Sequence, residues 1–322
     1  VSVLRGHLLG LEPLSPTQIL ALLDLAEEAA AGRLDPRSLE GRVVANVFYE
    51  PSTRTRTSFE LAARRLGARV VNFDPERSSV QKGESLIDTA LTLEAMGTDA
   101  IVLRHPCSGA GQLVARHVRC SVVNAGDGMH EHPTQGLLDL LTVRQAFGRI
   151  AGLRVVVVGD VLHSRVARSA AWGFSKLGAE VVLCGPPTLV PRQLEQAGVR
   201  VCHRLEEALE GADVVMALRV QVERQAAGFL PSAGEYHRLY AVTPERLRLA
   251  KPGALFMHPG PMNLGVEVTP EVAYGARSLV LRQVANGVAV RMAVLYDLLA
   301  QQRAAAEVRP VERTELALAG RV

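Results

Sequence analysis

Lysine is scarce in this chain of 322 residues: only Lys82, Lys176 and Lys251 among its 36 basic residues are lysine, and the rest are arginine. The planar guanidinium fork matches phosphate and carboxylate bidentately, so arginine suits a protein that grips both. Cysteine is equally sparse. Cys107, Cys120, Cys184 and Cys202 form no C-x-x-C pair and no zinc-ligand spacing, which points to free thiols in a reducing cytoplasm. A basic segment followed by a short apolar stretch is missing near the first residue, so no secretory signal is expected. No apolar run approaches the ~18 residues that a membrane-spanning helix needs. An excess of one charge is also lacking. The net charge is +3, too small to imply nucleic-acid or membrane binding.

What is present is an alternation of short β-branched runs with helical segments, in a chain with 48% hydrophobic residues. The expected strands are Arg42–Phe48, Arg69–Phe73, Ala100–Arg104, Ser121–Ala125, Arg154–Val158, Glu180–Cys184, Asp213–Ala217 and Ala254–Met257. Helical stretches lie between them, such as Thr53–Leu66, Ser85–Met96, Pro133–Phe147 and Arg165–Leu177. This order predicts an α/β fold with two domains, each with a central, mostly parallel sheet flanked by helices. The run Val155–Val158 suits a strand covered on both faces. The expected division is 1–147, 148–283 and a tail at 304–322. A last helix, with Val284, Val288, Met292, Leu295 and Leu299 as its apolar stripe, is expected to return over 284–303 to the first domain. Residues 154–184 read as strand, helix, strand. Their turn, Gly159–Ser164, lacks the G-x-G-x-x-G of a dinucleotide-dependent oxidoreductase.

The sharpest segment is FYEPSTRTRTSFE, residues 48–60. A strand ends at Phe48, Pro51 breaks regular structure, and Ser52-Thr53-Arg54-Thr55-Arg56 opens a helix with Phe59, Ala62 and Leu66 on its apolar side. A helix N-terminus presents unpaired N–H groups and the positive end of the dipole, and hydroxyls and arginines gathered there make a phosphate cradle. PSTRTR before SFE resembles the carbamoyl-phosphate loop of the aspartate and ornithine transcarbamoylase superfamily. The resemblance runs from about Gly6 to Leu299, through several separate motifs in the same order.

SSVQKGES, residues 78–85, is similar to that family's mobile loop, with Ser78 and Lys82 at its serine and lysine positions and Ser79 as an alternative serine. LRHP, residues 103–106, places Arg104 at a strand's C-terminal end, where open parallel sheets bind ligands. HPTQ, residues 132–135, contributes His132 and Gln135. VVVVGDVLHSR, residues 155–165, and LRVQVER, residues 218–224, bring Arg165, Arg219 and Gln221. HPGPMN, residues 258–263, resembles a loop whose Pro259 and Gly260 carbonyls face the amines of both substrates.

What the resemblance implies is the transfer of a carbamoyl group from carbamoyl phosphate to the α-amine of L-aspartate, in de novo pyrimidine synthesis in the cytoplasm. It assigns Ser52, Thr53, Arg54, Thr55 and Ser78 to the phosphate. Thr55, Arg104 and His132 would polarise the carbonyl, while Gln135 with Pro259 and Gly260 would hold the carbamoyl nitrogen. Arg165 is associated with the α-carboxylate, and Arg219, Gln221 and Lys82 with the β-carboxylate. Arg54, Thr55, Lys82, Arg104 and His132 are thus the expected catalytic set. The family's shared site implies a homotrimer in which Ser78 and Lys82 come from a neighbouring subunit, and a regulatory or dihydroorotase partner is open. No metal and no organic cofactor is implied. One departure is Leu264. Many relatives have arginine there, in N-R-G-V-E, where it could reach an acid such as Asp99 across a subunit interface. Ornithine is the nearest alternative substrate, but its enzymes typically carry H-C-L-P where this chain has His258-Pro259-Gly260-Pro261. From a different class, a catalytically inactive binding subunit would carry the same motifs.

Overall fold

The computed structural model describes residues 2–4, 6–75, 78–220 and 232–307, with side chains up to residue 300 apart from that of 197. Two five-stranded sheets dominate it, and every named strand pairing is parallel. The first sheet contains β1 (His7–Leu8), β2 (Val43–Phe48), β3 (Arg69–Phe73), β4 (Ala100–His105) and β5 (Ser121–Asp127) in the order β1-β5-β4-β2-β3. The second contains β6 (Arg154–Val158), β7 (Glu180–Cys184), β8 (Arg200–Cys202), β9 (Val214–Ala217) and β10 (Leu255–Met257) in the order β10-β9-β6-β7-β8. The α/β expectation holds. β1 and β8 were not foreseen: with two and three residues, they are too short to carry a period.

Helices α1 (Pro16–Ala30), α2 (Thr53–Arg65), α3 (Leu86–Ala95), α4 (Ala110–Ala115) and α5 (Pro133–Phe147) accompany the first sheet. Helix α6 (Arg165–Lys176) follows β6, and the short α7 (Leu205–Leu209), α8 (Ala233–Tyr240), α9 (Pro244–Leu247) and α10 (Pro270–Ala273) accompany the later strands. The long α11 (Val280–Glu307) returns to pack on α1, α2 and α5 of the first half. The start of α1 is written locally: Ser15 and Gln18 form a reciprocal capping box with Pro16 at the first turn.

The expected apolar stripe of α11 needs one correction. Val284 is 48% exposed, while Gln283 and Asn286 are buried. The polar pair goes inside because it has partners on α5. Gln283 Nε2 donates to Asp139 at 2.8 Å, and Asn286 Nδ2 donates to Thr142 Oγ1 at 2.9 Å. From Ala289 onward the buried face is mainly apolar, with Val290, Val294, Leu295 and Leu298, and it also takes in Arg291 and Asp297.

The joint between the halves is α5. Residues Pro133–Val143 are buried on every side. It packs on α6, where a Cβ on Gly136 would stand 2.6 Å from Leu11 and 3.1 Å from the Ser169 side chain. Just before α5, the buried Glu131 accepts the Leu11 N–H at 2.8 Å, the Glu12 N–H at 3.1 Å and the Ser169 hydroxyl at 2.8 Å. One carboxylate thus ties the N-terminal segment, the β5–α5 loop and α6 together. Without it, three donors on two segments lose their acceptor, each buried one costing about 1–3 kcal/mol before relaxation. We expect Glu131→Ala to lower stability by about 2 kcal/mol or more, measured as a shift in the urea midpoint; an unchanged midpoint would contradict this role.

Candidate functional site

In both sheets the chain reverses direction at one point. In the first, β2 leads on to β3 and β4 to β5 on opposite sides, so the switch lies between β2 and β4. In the second it lies between β6 and β9. Crevices at the carboxyl ends of such strands are where open α/β sheets bind ligands. The residues singled out in the sequence lie at the ends of these strands: 52–55 after β2, Arg104 at the end of β4, Arg165 after β6 and Arg219 after β9.

Ser52 is the extended N-cap residue of α2, yet its side chain makes no capping hydrogen bond. Its hydroxyl and the first N–H groups of the helix are therefore left for a ligand. Thr53 and Arg54 are exposed, and Thr55 is buried on the inner side of the first turn. Arg54 lies over the HPGP loop: a Cβ on Gly260 would fall 2.5 Å from its Nη1 and 2.6 Å from its Cζ. Gly260 also has φ +65, so glycine is demanded twice over. Partial burial pulls the Arg54 pKa down from its ordinary value.

Glu50 was not singled out from the sequence, and it proves central. Its Oε2 lies 2.7 Å from Arg165 Nη1 and 3.5 Å from Arg104 Nε. One carboxylate therefore joins an arginine at the end of β4 to one at the start of α6. Arg165 also reaches the Gly128 carbonyl at 3.4 Å and crosses Gly126, where a Cβ would come within 2.9 Å of its Nε. The signal was available: Glu50 is the acid that directly precedes the run of hydroxyls and arginines at 52–58.

His132 caps α5 without a side-chain capping bond and is almost fully buried, and its Nδ1 has no hydrogen-bond partner. Burial, reinforced by Arg104, Arg291 and Arg165, holds its pKa well below the ordinary histidine range. The ring is thus a neutral imidazole near pH 7. Gln135, one turn into α5, donates Nε2 to Asp139 at 3.0 Å. Burial pushes Asp139 up to about 7, against hydrogen bonds from Gln283 and Gln135 and the charge of Arg291. Its folded pKa exceeds its unfolded one, so its contribution to stability is present at low pH and is lost as pH rises through about 7. Arg291, buried over the Phe59 ring at 5.0 Å, is lowered to about 9, mainly by burial and then by Arg104.

On the second half, the Val220 carbonyl accepts Asn263 Nδ2 at 2.9 Å, which pins the segment after β9 to the HPGP loop. His258 is buried at the head of that loop and accepts the Gly260 N–H on Nδ1 at 2.8 Å. Its pKa falls through burial, with Glu267 opposing and Arg54 and Arg219 adding to the fall.

Not every expected residue joins this cluster. Ser78 caps, and Lys82 ends, a separate 3-10 turn, Ser79–Lys82. Ser78 Oγ donates to the Pro75 carbonyl at 2.9 Å, and Lys82 is exposed with no ion pair among the described residues. Gln221 lies outside the described residues. Asp99 is occupied within its own chain, by Arg42 Nη1 at 2.6 Å and the Val43 N–H at 2.8 Å, and Leu264 is largely exposed. One group of potential metal ligands, Glu12, His130 and Glu131, occurs among the described residues. Its polar atoms already serve the fold: Glu131 holds amides and a hydroxyl, and His130 Nδ1 faces Asp127 at 3.1 Å.

The described cluster is therefore strongly cationic, with one paired carboxylate, a neutral imidazole and an open helix N-terminus. Such a site holds anions and stabilises charge that develops on an oxygen.

Comparison with known proteins gives the same reading. The family model for the carbamoyl-phosphate-binding domain of aspartate/ornithine carbamoyltransferase matches residues 6–145, and that for the aspartate/ornithine-binding domain matches 151–298. The aspartate carbamoyltransferase catalytic subunit of Pelotomaculum thermopropionicum is 57% identical over 300 residues, covering 92% of this chain and 97% of that protein. Among solved structures, aspartate transcarbamoylase from Trypanosoma cruzi in complex with N-(phosphonacetyl)-L-aspartic acid superposes with a TM-score of 0.83 at 33% identity, over 93% of this chain and 98% of that one. Ornithine carbamoyltransferase from Thermus thermophilus gives 0.82 at 33% identity, over 92% and 99%.

The lowered pKa of His132 has a direct consequence. In the folded protein its ring resonances should not titrate between pH 6 and 8, whereas in urea they should titrate near ~6.5. The stability it contributes is present above that value and lost as pH falls below it. A folded-state midpoint within that window would overturn the neutral assignment.

Proposed function

The chain belongs to the aspartate/ornithine carbamoyltransferase family, and from that premise we propose that it transfers the carbamoyl group of carbamoyl phosphate to the α-amine of L-aspartate. The products are N-carbamoyl-L-aspartate and phosphate. The observation that carries this reading is the cationic crevice at the two switch points, where Glu50 joins Arg104 to Arg165. Two dianionic substrates need such a surplus of guanidinium groups, one set from each half.

In this reading Ser52, Thr53, Arg54 and Thr55 hold the phosphate at the N-terminus of α2. The carbonyl oxygen meets Thr55, Arg104 and the neutral imidazole of His132, which can donate an N–H without bringing a charge. Gln135 and the carbonyls of Pro259 and Gly260 take the carbamoyl amine. Arg165 takes the aspartate α-carboxylate, and Arg219 with Gln221 takes the β-carboxylate. The neutral α-amine attacks the carbamoyl carbon and a C–N bond forms. Negative charge gathers on the carbonyl oxygen, where the three donors stabilise it. The C–O bond to phosphate then breaks, and the departing phosphate accepts the amine proton. No protein nucleophile is required. Positioning and electrostatics carry the rate.

Ser78 and Lys82 stand apart from the cluster in their own chain, which supports their entry into a neighbouring subunit's site within a homotrimer. We assign residues 1–147, together with 284–303, to the carbamoyl-phosphate domain, 148–283 to the aspartate domain and 304–322 to a tail. Among the described residues no helix is long and apolar enough to cross a membrane. The proposed setting is de novo pyrimidine synthesis in the cytoplasm.

Aspartate is favoured over ornithine because the second half offers arginines, which repel a cationic side chain, and because 258–261 reads HPGP, without cysteine. The purified chain mixed with carbamoyl phosphate should carbamoylate L-aspartate and leave L-ornithine unchanged; product from ornithine alone would overturn the choice of second substrate. Arg54→Ala should reduce kcat/KM by about a hundredfold or more with little change in melting temperature. Near-native turnover would remove the phosphate cradle. Lys82→Ala and Arg165→Ala, each inactive alone, should regain activity when mixed under conditions that exchange subunits, because one site in the hybrid combines Lys82 and Arg165 from different chains. Verified hybrids without activity would count against a shared site.

A further inference from the structure

Asp139 lies one turn beyond Gln135 on α5 and is fully buried. Its Oδ1 accepts Gln135 Nε2 at 3.0 Å and Gln283 Nε2 at 2.8 Å, and Gln283 Oε1 accepts the His258 N–H at 3.0 Å. The direction of this relay is dictated at its ends. A backbone N–H only donates, so Gln283 must turn its oxygen to His258 and its NH2 group to Asp139. An unprotonated carboxylate oxygen only accepts, so Gln135 must also turn its NH2 group to Asp139. The free end of the Gln135 amide is then its carbonyl oxygen.

We propose that Asp139 is a positioning residue that fixes the Gln135 amide with its oxygen toward the ligand, so that the site selects an acyl phosphate whose carbon bears an amine over one bearing a methyl. This rests on the reading above, in which Gln135 meets the carbamoyl amine. The same relay anchors the main chain at His258, just before the Pro259 and Gly260 carbonyls assigned to that amine. Both sets of acceptors are thus set from one buried carboxylate. Protonation of Asp139 does not reverse the relay. Asp139 Oδ2 is buried with no hydrogen-bond partner, so a proton there leaves Oδ1 accepting both amides.

The test compares dissociation constants for carbamoyl phosphate and acetyl phosphate, which carries a methyl group in place of the amine. In Asp139→Leu the preference for carbamoyl phosphate should fall about tenfold, the equivalent of one well-made hydrogen bond. Acetyl phosphate binding should stay within about twofold. Asp139→Asn retains an acceptor oxygen and should keep the preference within about threefold. Adding Asp139→Leu to Gln135→Leu should lower the preference by less than Asp139→Leu does alone, because only the arm through Gln283 and His258 is then left to disturb. If Asp139→Leu does not fold, the smaller Asp139→Ser reads the same quantity. An unchanged preference in the folded variant, or equal weakening of both ligands, overturns the proposal. A wild-type protein that makes no carbamoyl aspartate, but loses its preference when Asp139 is replaced, would sink the proposed function and support the relay.

Discussion

Glu50 stands between two arginines that come from different halves of the chain, Arg165 at 2.7 Å and Arg104 at 3.5 Å. Without that carboxylate the crevice would gather guanidinium groups with nothing between them. At an effective dielectric of about 20, two unit charges 4 Å apart interact by about 4 kcal/mol. A single acid among several cations offsets part of that repulsion and leaves the rest for bound anions. The arrangement also links the halves, since a carboxylate following β2 fixes a side chain at the start of α6.

The remaining polar groups are organised around this cation cluster. The pKa of His132 falls because it is buried among Arg104, Arg165 and Arg291. That same field gives the neutral imidazole an N–H to donate without adding another charge. Asp139 answers from below: a buried acid beside Arg291, held by two glutamines and raised to about 7. Charged groups at this depth persist because each has hydrogen bonds or a counter-charge.

α5 carries much of this order. Its N-terminal end presents His132 and Gln135 to the crevice, and its body is buried between α6 and α11. Gly136 lets α6 approach closely, and Glu131 ties in the N-terminal segment. A shift of α5 would therefore be felt at once by the imidazole, the amide relay and the HPGP loop.

The strand–helix alternation, the parallel sheets and the motif positions were legible in the chain before any folding was considered. Those signals are local: β-branched runs of about five residues, turn residues, and hydroxyls and arginines at one helix start. It also carried the separation of Ser78 and Lys82 from the other ligands, as a motif on its own loop. Only the tertiary structure showed that Glu50 pairs with arginines from both halves, because its partners lie 54 and 115 residues away in the chain. Only the fold explains why Gln283 and Asn286 enter the core while Val284 faces solvent, since their partners on α5 are more than 140 residues distant. Periodicity records which side of a helix is apolar; it does not record that a polar side chain has found a buried acceptor, and that long-range pairing decided what the interior of this protein contains.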